Sequence, residues 1–279
     1  MSTYRFGLCD WLLPLPGPTA LELAGLLGYH GVQILDLGGA ENNYPLSLPW
    51  VQRAYQQAME RSGVVIQTLQ LQALVRSGCL KAPAGSPEER LALESIRRGA
   101  QACQALGIPR LMVESFFDSA IQNDQDLERT AALLRKAGEI TREHGVQLIY
   151  ESFMDREKTL ALWEGCGRAF LLCYDLLNPL RYGFGDPTQE LQQYDLSMID
   201  HIHAKDAPAG YQGSVCLGTG AGLFQESCAI LRKRGYTGWV VSENYYCLDP
   251  MGKEDPALTA ERDLKTLRDT FSPPGINVC

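Results

Sequence analysis

Four stretches decide how this chain is read: Val146–Ser152 (VQLIYES), Phe170–Leu176 (FLLCYDL), Ile199–Lys205 (IDHIHAK) and Trp239–Glu243 (WVVSE). Each is a short apolar run of strand length, and such runs read as strands buried on both faces. Each also carries a chemically capable side chain at or near its carboxyl end: Glu151, Asp175, His203 followed by Lys205, and Glu243. A carboxylate beside apolar walls costs several kcal/mol unless it is paired or holds a metal. Four consecutive strands that deliver such groups to one rim therefore form an unusual pattern.

Working outward, the same alternation extends over the chain. Strands are expected at Tyr4–Cys9, Val32–Leu37, Val64–Leu71 and Arg110–Ser115, ahead of the four already named. Between and after them lie segments of helical periodicity: Thr19–Leu27, Pro49–Ser62, Pro87–Leu106, Asp126–His144, Lys158–Glu164, Thr188–Tyr194, Ala221–Arg234 and Pro256–Thr270. Ser86 is placed to cap the third helix, Pro87 suits its first turn, and Gly107 stops it. The tail after it, SPPGINVC, cannot extend the last helix because of its two prolines. Strand and helix alternating eight times imply a parallel sheet with crossover helices, closed as a (β/α)8 barrel. The rival is an open doubly wound sheet. The 279 residues suit one such barrel, for which about 250 is typical, and no composition break marks a second domain.

Composition narrows the partners. The formal net charge is −8, which disfavours nucleic acid, and the basic cluster Arg232, Lys233 and Arg234 reads as a solvated helix face. Nine cysteines without a CxxC pair, several of them inside apolar strands, read as reduced and buried thiols. The start, MSTYRFGLCDW, is not that of a signal peptide, and no apolar run is long enough for a membrane span. A cytoplasmic location is expected.

In a barrel of this kind the site lies at the carboxyl ends of the strands. Glu114 ends the fourth strand and joins the four-strand set. Three carboxylates and one imidazole suit Mn²⁺, Mg²⁺ or Co²⁺ better than a structural zinc site. On the seventh strand His201, His203 and Lys205 share one side. His203, nearer the rim, is the better ligand, while deeper His201 suits a supporting or packing role. Lys205 could face substrate or pair with Asp206. The loop LGTGAG (Leu217–Gly222) is a weak match to a phosphate-binding loop and reads as a turn into the next helix.

With the run from IYES through CYD and HIHAKD to VSEN, the chain resembles the xylose isomerase-like barrel superfamily, over its whole length in element order. Within it the chain is most similar to sugar isomerases and epimerases such as the tagatose and psicose 3-epimerases, hydroxypyruvate isomerase and inosose dehydratase. The resemblance implies one divalent metal on Glu151, Asp175, His203 and Glu243, with Glu151 and Glu243 doubling as acid and base. It places Glu157, six residues past the first ligand, at the substrate, as Glu114, His201 and Lys205 could be. Two positions depart from those epimerases: Asn178 stands for a histidine and Ala209 for an arginine, both substrate contacts in the relatives. The expected activity is isomerisation or epimerisation of a keto sugar or related polyol ketone. The alternatives are a lyase using the same proton abstraction, like inosose dehydratase or a C-deglycosidase, and a non-catalytic sugar-binding barrel. Homo-oligomers are common among the relatives. A distant branch of DNA-repair endonucleases uses three metals and many histidines, and this acidic chain has four histidines.

Overall fold

The computed structural model describes residues 4–271; the prolines of the tail lie outside them. Eight parallel strands close into a barrel in sequence order: β1 (Arg5–Cys9), β2 (Gly31–Leu35), β3 (Val65–Gln70), β4 (Arg110–Glu114), β5 (Gln147–Glu151), β6 (Leu171–Asp175), β7 (Ile199–Ala204) and β8 (Trp239–Ser242). The ring closes where Arg5 to Leu8 of β1 pair with Trp239 to Ser242 of β8. The open-sheet alternative is thereby excluded.

The crossover helices are α1 (Pro18–Leu27), α2 (Pro49–Ser62), α3 (Pro87–Leu106), α4 (Asp124–Glu143), α5 (Arg156–Gly165), α6 (Asn178–Arg181), α7 (Pro187–Gln193), α8 (Phe224–Lys233) and α9 (Pro256–Phe271). The caps explain several of these limits. Ser86 Oγ accepts from the Glu89 amide at the start of α3, and Gly107 closes it in the left-handed conformation. α4 starts at Asp124, two residues before the expected Asp126, because Asn123 caps it by accepting from the Asp126 amide. The one-turn helix α6, absent from the expected pattern, starts directly beyond β6.

Apolar side chains of strands and helices form the main core between the two layers, with Leu69, Val113, Leu134 and Val240 among its fully covered members. The fit is tight. A methyl group on Gly99 of α3 would come 2.9 Å from side chains of Leu71 and Leu111, so glycine lets this helix settle onto β3 and β4. Inside the barrel Met112, Ile149 and Cys173 make a separate small apolar floor. The polar groups stand above it.

Candidate metal centre

The period-two geometry of adjacent strands builds the site. On β4, β5 and β6 the residue two places after the floor residue is Glu114, Glu151 and Asp175 respectively. Glu114 is in register with Glu151, and Asp175 with His203 of β7. Glu243 follows the last residue of β8, and its amide donates to the carbonyl of Ala204. One atom from each of Glu151, Asp175, His203 and Glu243 lies within 4.8 Å of all the others, and all four residues are buried.

The candidate donors are held by different devices. Asp175 Oδ1 accepts from the amides of Leu177 and Asn178, both at 2.8 Å, at the start of α6. Asn178 in turn donates through Nδ2 to Glu151 Oε1 at 2.9 Å. His203 Nε2 lies 3.0 Å from Gln33 Oε1 of β2. Gln33 Oε1 also accepts from Gln67 Nε2, while Gln33 Nε2 donates to Gln70 Oε1 and Gln70 Nε2 donates to Gln72 Oε1. An amide oxygen is only an acceptor, so His203 carries a proton on Nε2 and presents Nδ1 to the site.

The atoms left over converge. His203 Nδ1 is 2.7 Å from Glu243 Oε2 and 3.5 Å from Glu151 Oε2, and Lys205 Nζ is 2.8 Å from Asp175 Oδ2 and 2.7 Å from Glu243 Oε2. Yet Asp175 Oδ2, His203 Nδ1 and Glu243 Oε2 form no hydrogen bond of acceptable direction, although all three are fully covered. Their proximity without alignment fits donors aimed at a common centre, and buried donors of this kind seldom stay unmatched. Three carboxylates with one imidazole are a hard donor set, and they fit a divalent ion.

Electrostatics separates the acids. Burial works to raise the Glu243 carboxyl, but Lys205 and His203 beside it prevail and bring it down to about 2. Glu114 moves the other way: burial first, then the charges of Glu151 and Glu243, push it well above the usual carboxylate range. A proton held on Glu114 would be shared with Glu151 beside it. Burial opposes the charge on Lys205, but Asp175, Glu243 and Glu151 outweigh it and raise the ammonium group's pKa.

The expected site residues are therefore sorted by place. The four proposed ligands, Glu114, Lys205 and Asn178 stand together. Lys205 pairs with Asp175 and Glu243 rather than with Asp206. His201 is one layer lower and engages Asp200 through Nδ1 at 2.9 Å. Glu157 is exposed in the first turn of α5, apart from the buried cluster. The loop Leu217–Gly222 is turned inward: Asp206 accepts from the amides of Gly218, Gly220 and Gly222, so these are not free to bind an external phosphate. That enclosure also delays α8 to Phe224, past the expected Ala221.

Two groups escaped the reading of the sequence. Gln33 was one, though a glutamine in the apolar run GVQIL is itself a signal. The other is an aromatic wall above Glu114 and Glu151. Phe153 packs against Phe116, Tyr182 and Phe184 with ring centroids 4.6, 4.5 and 5.0 Å away. The repeated letters ESF, after both β4 and β5, were its trace.

Comparison with known proteins agrees with this architecture. A family profile described as xylose isomerase-like TIM barrel matches residues 21–270. The 2-epi-5-epi-valiolone 7-phosphate 2-epimerase of Actinoplanes sp. is 32% identical over 231 residues, covering 82% of this chain and 83% of that protein. Among solved structures, the IolI protein with a bound zinc atom superposes with a TM-score of 0.75 at 17% identity, over 96% of this chain and 98% of that one. The 3-keto-D-glucoside 4-epimerase YcjR of E. coli gives 0.71 at 17% identity, over 95% and 99%. Among the described residues no helix is long and apolar enough to cross a membrane. With the barrel closed in sequence order and the profile running from α1 to the end of α9, the chain belongs to the xylose isomerase-like TIM barrel family.

Proposed function

We propose that the protein is a divalent-metal-dependent epimerase or isomerase of a keto sugar or related polyol ketone. The observation that carries this reading is the pair Glu151 and Glu243, two buried carboxylates that flank His203 and reach toward one centre. Glu151, Asp175, His203 and Glu243 would hold a divalent ion, with Mn²⁺, Mg²⁺ or Co²⁺ as the expected metals, and the ion would supply the Lewis-acid chemistry that acidifies the C–H of the hydroxyl-bearing carbon next to the substrate carbonyl. Glu151 and Glu243 then divide the proton work: one removes that proton and the other returns one, on the opposite face for epimerisation or at the next carbon for isomerisation. Glu114, protonated beside Glu151, steadies the carboxylate as its charge changes. Lys205 offers its ammonium group to the charge that develops on oxygen. The aromatic wall of Phe116, Phe153, Tyr182 and Phe184 covers one side and limits the access of water.

The named activity of the Actinoplanes relative, on a polyol ketone phosphate, supports the substrate class. The departures at Asn178 and Ala209 support a second reading, a lyase that starts with the same proton removal and then expels a β-substituent.

The test is incubation of metal-loaded protein in D₂O with free and phosphorylated keto sugars and polyol ketones, followed by NMR and mass analysis. Deuterium is expected next to the carbonyl of the true substrate, in a product of unchanged composition apart from the isotope. Loss of water or of an aglycone establishes the lyase. Absence of exchange across the panel with every metal removes both readings.

A further inference from the structure

Beneath the carboxylate rim lies a second set of donors of different character. Cys173 of β6 and His201 of β7 are in register, and His203 stands above them. One ligand atom from each of the three lies within 4.8 Å of the others, with exposures of 1%, 0% and 0%. Cys173 Sγ is within hydrogen-bonding reach of the His203 ring.

His201 is set up as a donor. Its Nδ1 faces Asp200 Oδ2, and Asp200 is itself gripped by Arg110 Nε at 2.6 Å. A carboxylate is only an acceptor, so it takes the Nδ1 proton and leaves the lone pair on Nε2. His201 Nε2 is fully covered and has no hydrogen-bond partner among the described residues. The adjoining floor, Met112 and Ile149, offers it no strong donor. A buried imidazole lone pair without a partner is costly, and a carboxylate behind the opposite nitrogen is the arrangement that supports metal-binding histidines.

One thiol and two imidazoles make a soft set, unlike the carboxylates above. We propose that Cys173, His201 and His203 form a second cation site inside the barrel, selective for thiophilic divalent ions such as Zn²⁺ and Cd²⁺. Binding forms a metal–sulfur bond and releases the Cys173 thiol proton to solvent. Both sites need the His203 ring, whose Nε2 is already engaged by Gln33, so the two compete for Nδ1.

Cadmium alone serves as the probe, added to metal-free, reduced, full-length protein and followed by thiolate-to-metal absorption and cadmium-113 NMR. Wild type is expected to take up one ion with a thiolate band and the chemical shift of a mixed sulfur–nitrogen environment. Cys173→Ser abolishes the band. Asp200→Asn weakens this binding about 10- to 100-fold, the usual effect of removing a partner behind a ligating histidine. Cys216→Ser with Cys247→Ser, which removes the two partly exposed thiols among the described residues, leaves it intact, as does Asp175→Asn in the upper site. A band that survives Cys173→Ser, a band lost with Cys216 and Cys247, or a wild-type cadmium signal with no sulfur ligand overturns the proposal. Should Cys173→Ser not fold, the wild-type NMR shift and the Asp200→Asn affinity decide alone.

Discussion

The two sides of the barrel interior solve burial in opposite ways. From β5 to β8 the interior carries formal charge, with Glu151, Asp175 and Glu243 facing His203 and Lys205. From β2 and β3 it carries neutral amides, Gln33, Gln67 and Gln70, which bond to one another. Charges in a low-dielectric interior need a countercharge, and three carboxylates around one ammonium group leave an excess that a divalent ion can balance. Amides need only partners of complementary direction, and a chain of them can fix an orientation without adding charge. The neutral side thus aims the imidazole at the charged side, where the proposed chemistry would take place.

The largest expected effect comes from breaking the charged side. Glu151→Gln and Glu243→Gln each remove a proton-transfer group while keeping nearly the same shape. Turnover on the substrate found by isotope exchange should fall about 10²- to 10⁴-fold, measured as kcat alongside metal content. Near-normal turnover in both variants would remove these residues from the chemistry. A smaller effect is expected across the barrel. Gln33→Leu deletes the acceptor behind His203 and should weaken manganese binding about 10- to 100-fold, read by calorimetry. Nitrogen-15 spectra should then show the His203 Nε2–H signal shifted by loss of its hydrogen bond to Gln33. Unchanged affinity and Nε2–H signal in Gln33→Leu would mean that the amides only fill space.

The smallest effect concerns Asp36, a carboxylate just beyond β2 on the neutral side, 5% exposed. Burial pushes it up to about 6, against the pull of the Ala73 and Gly38 amides. Its folded pKa is raised over an unfolded value of about 3.9. Its contribution to stability is therefore fully present below about pH 4 and is lost as pH rises through 6, at no more than about 1.4 kcal/mol per pH unit. Urea unfolding across that range should show Asp36→Asn with a flatter profile than wild type. Parallel profiles would mean that Asp36 titrates alike in both states.

The charged side was the legible one. Glu151, Asp175, His203 and Glu243 sit at or near the ends of clear apolar runs, so local pattern and the polarity of a parallel barrel suffice to bring them to one rim. The supporting contacts were not legible, because they cross the sequence. Gln33 reaches His203 over 170 positions, and Asn178 reaches Glu151 across two neighbouring strands. Glu157, which a spacing shared with relatives puts at the substrate, is exposed on the first turn of α5, outside the buried cluster. Helix starts were misplaced where a side chain cap or an inward loop decided them, as at Asn123 and before Phe224.

That inward loop also bears on substrate choice. Its glycines point alternate amides into one hollow, much as anion-binding nests do, but the anion is supplied by the chain itself through Asp206. A methyl group on Gly220 would stand 2.3 Å from the Asp206 carboxylate, so the hollow has no spare room. The nest is self-occupied. A phosphorylated substrate would have to find its charge partners on other loops of the rim, and discrimination between phosphorylated and free sugars would evolve there, with the glycines left unchanged.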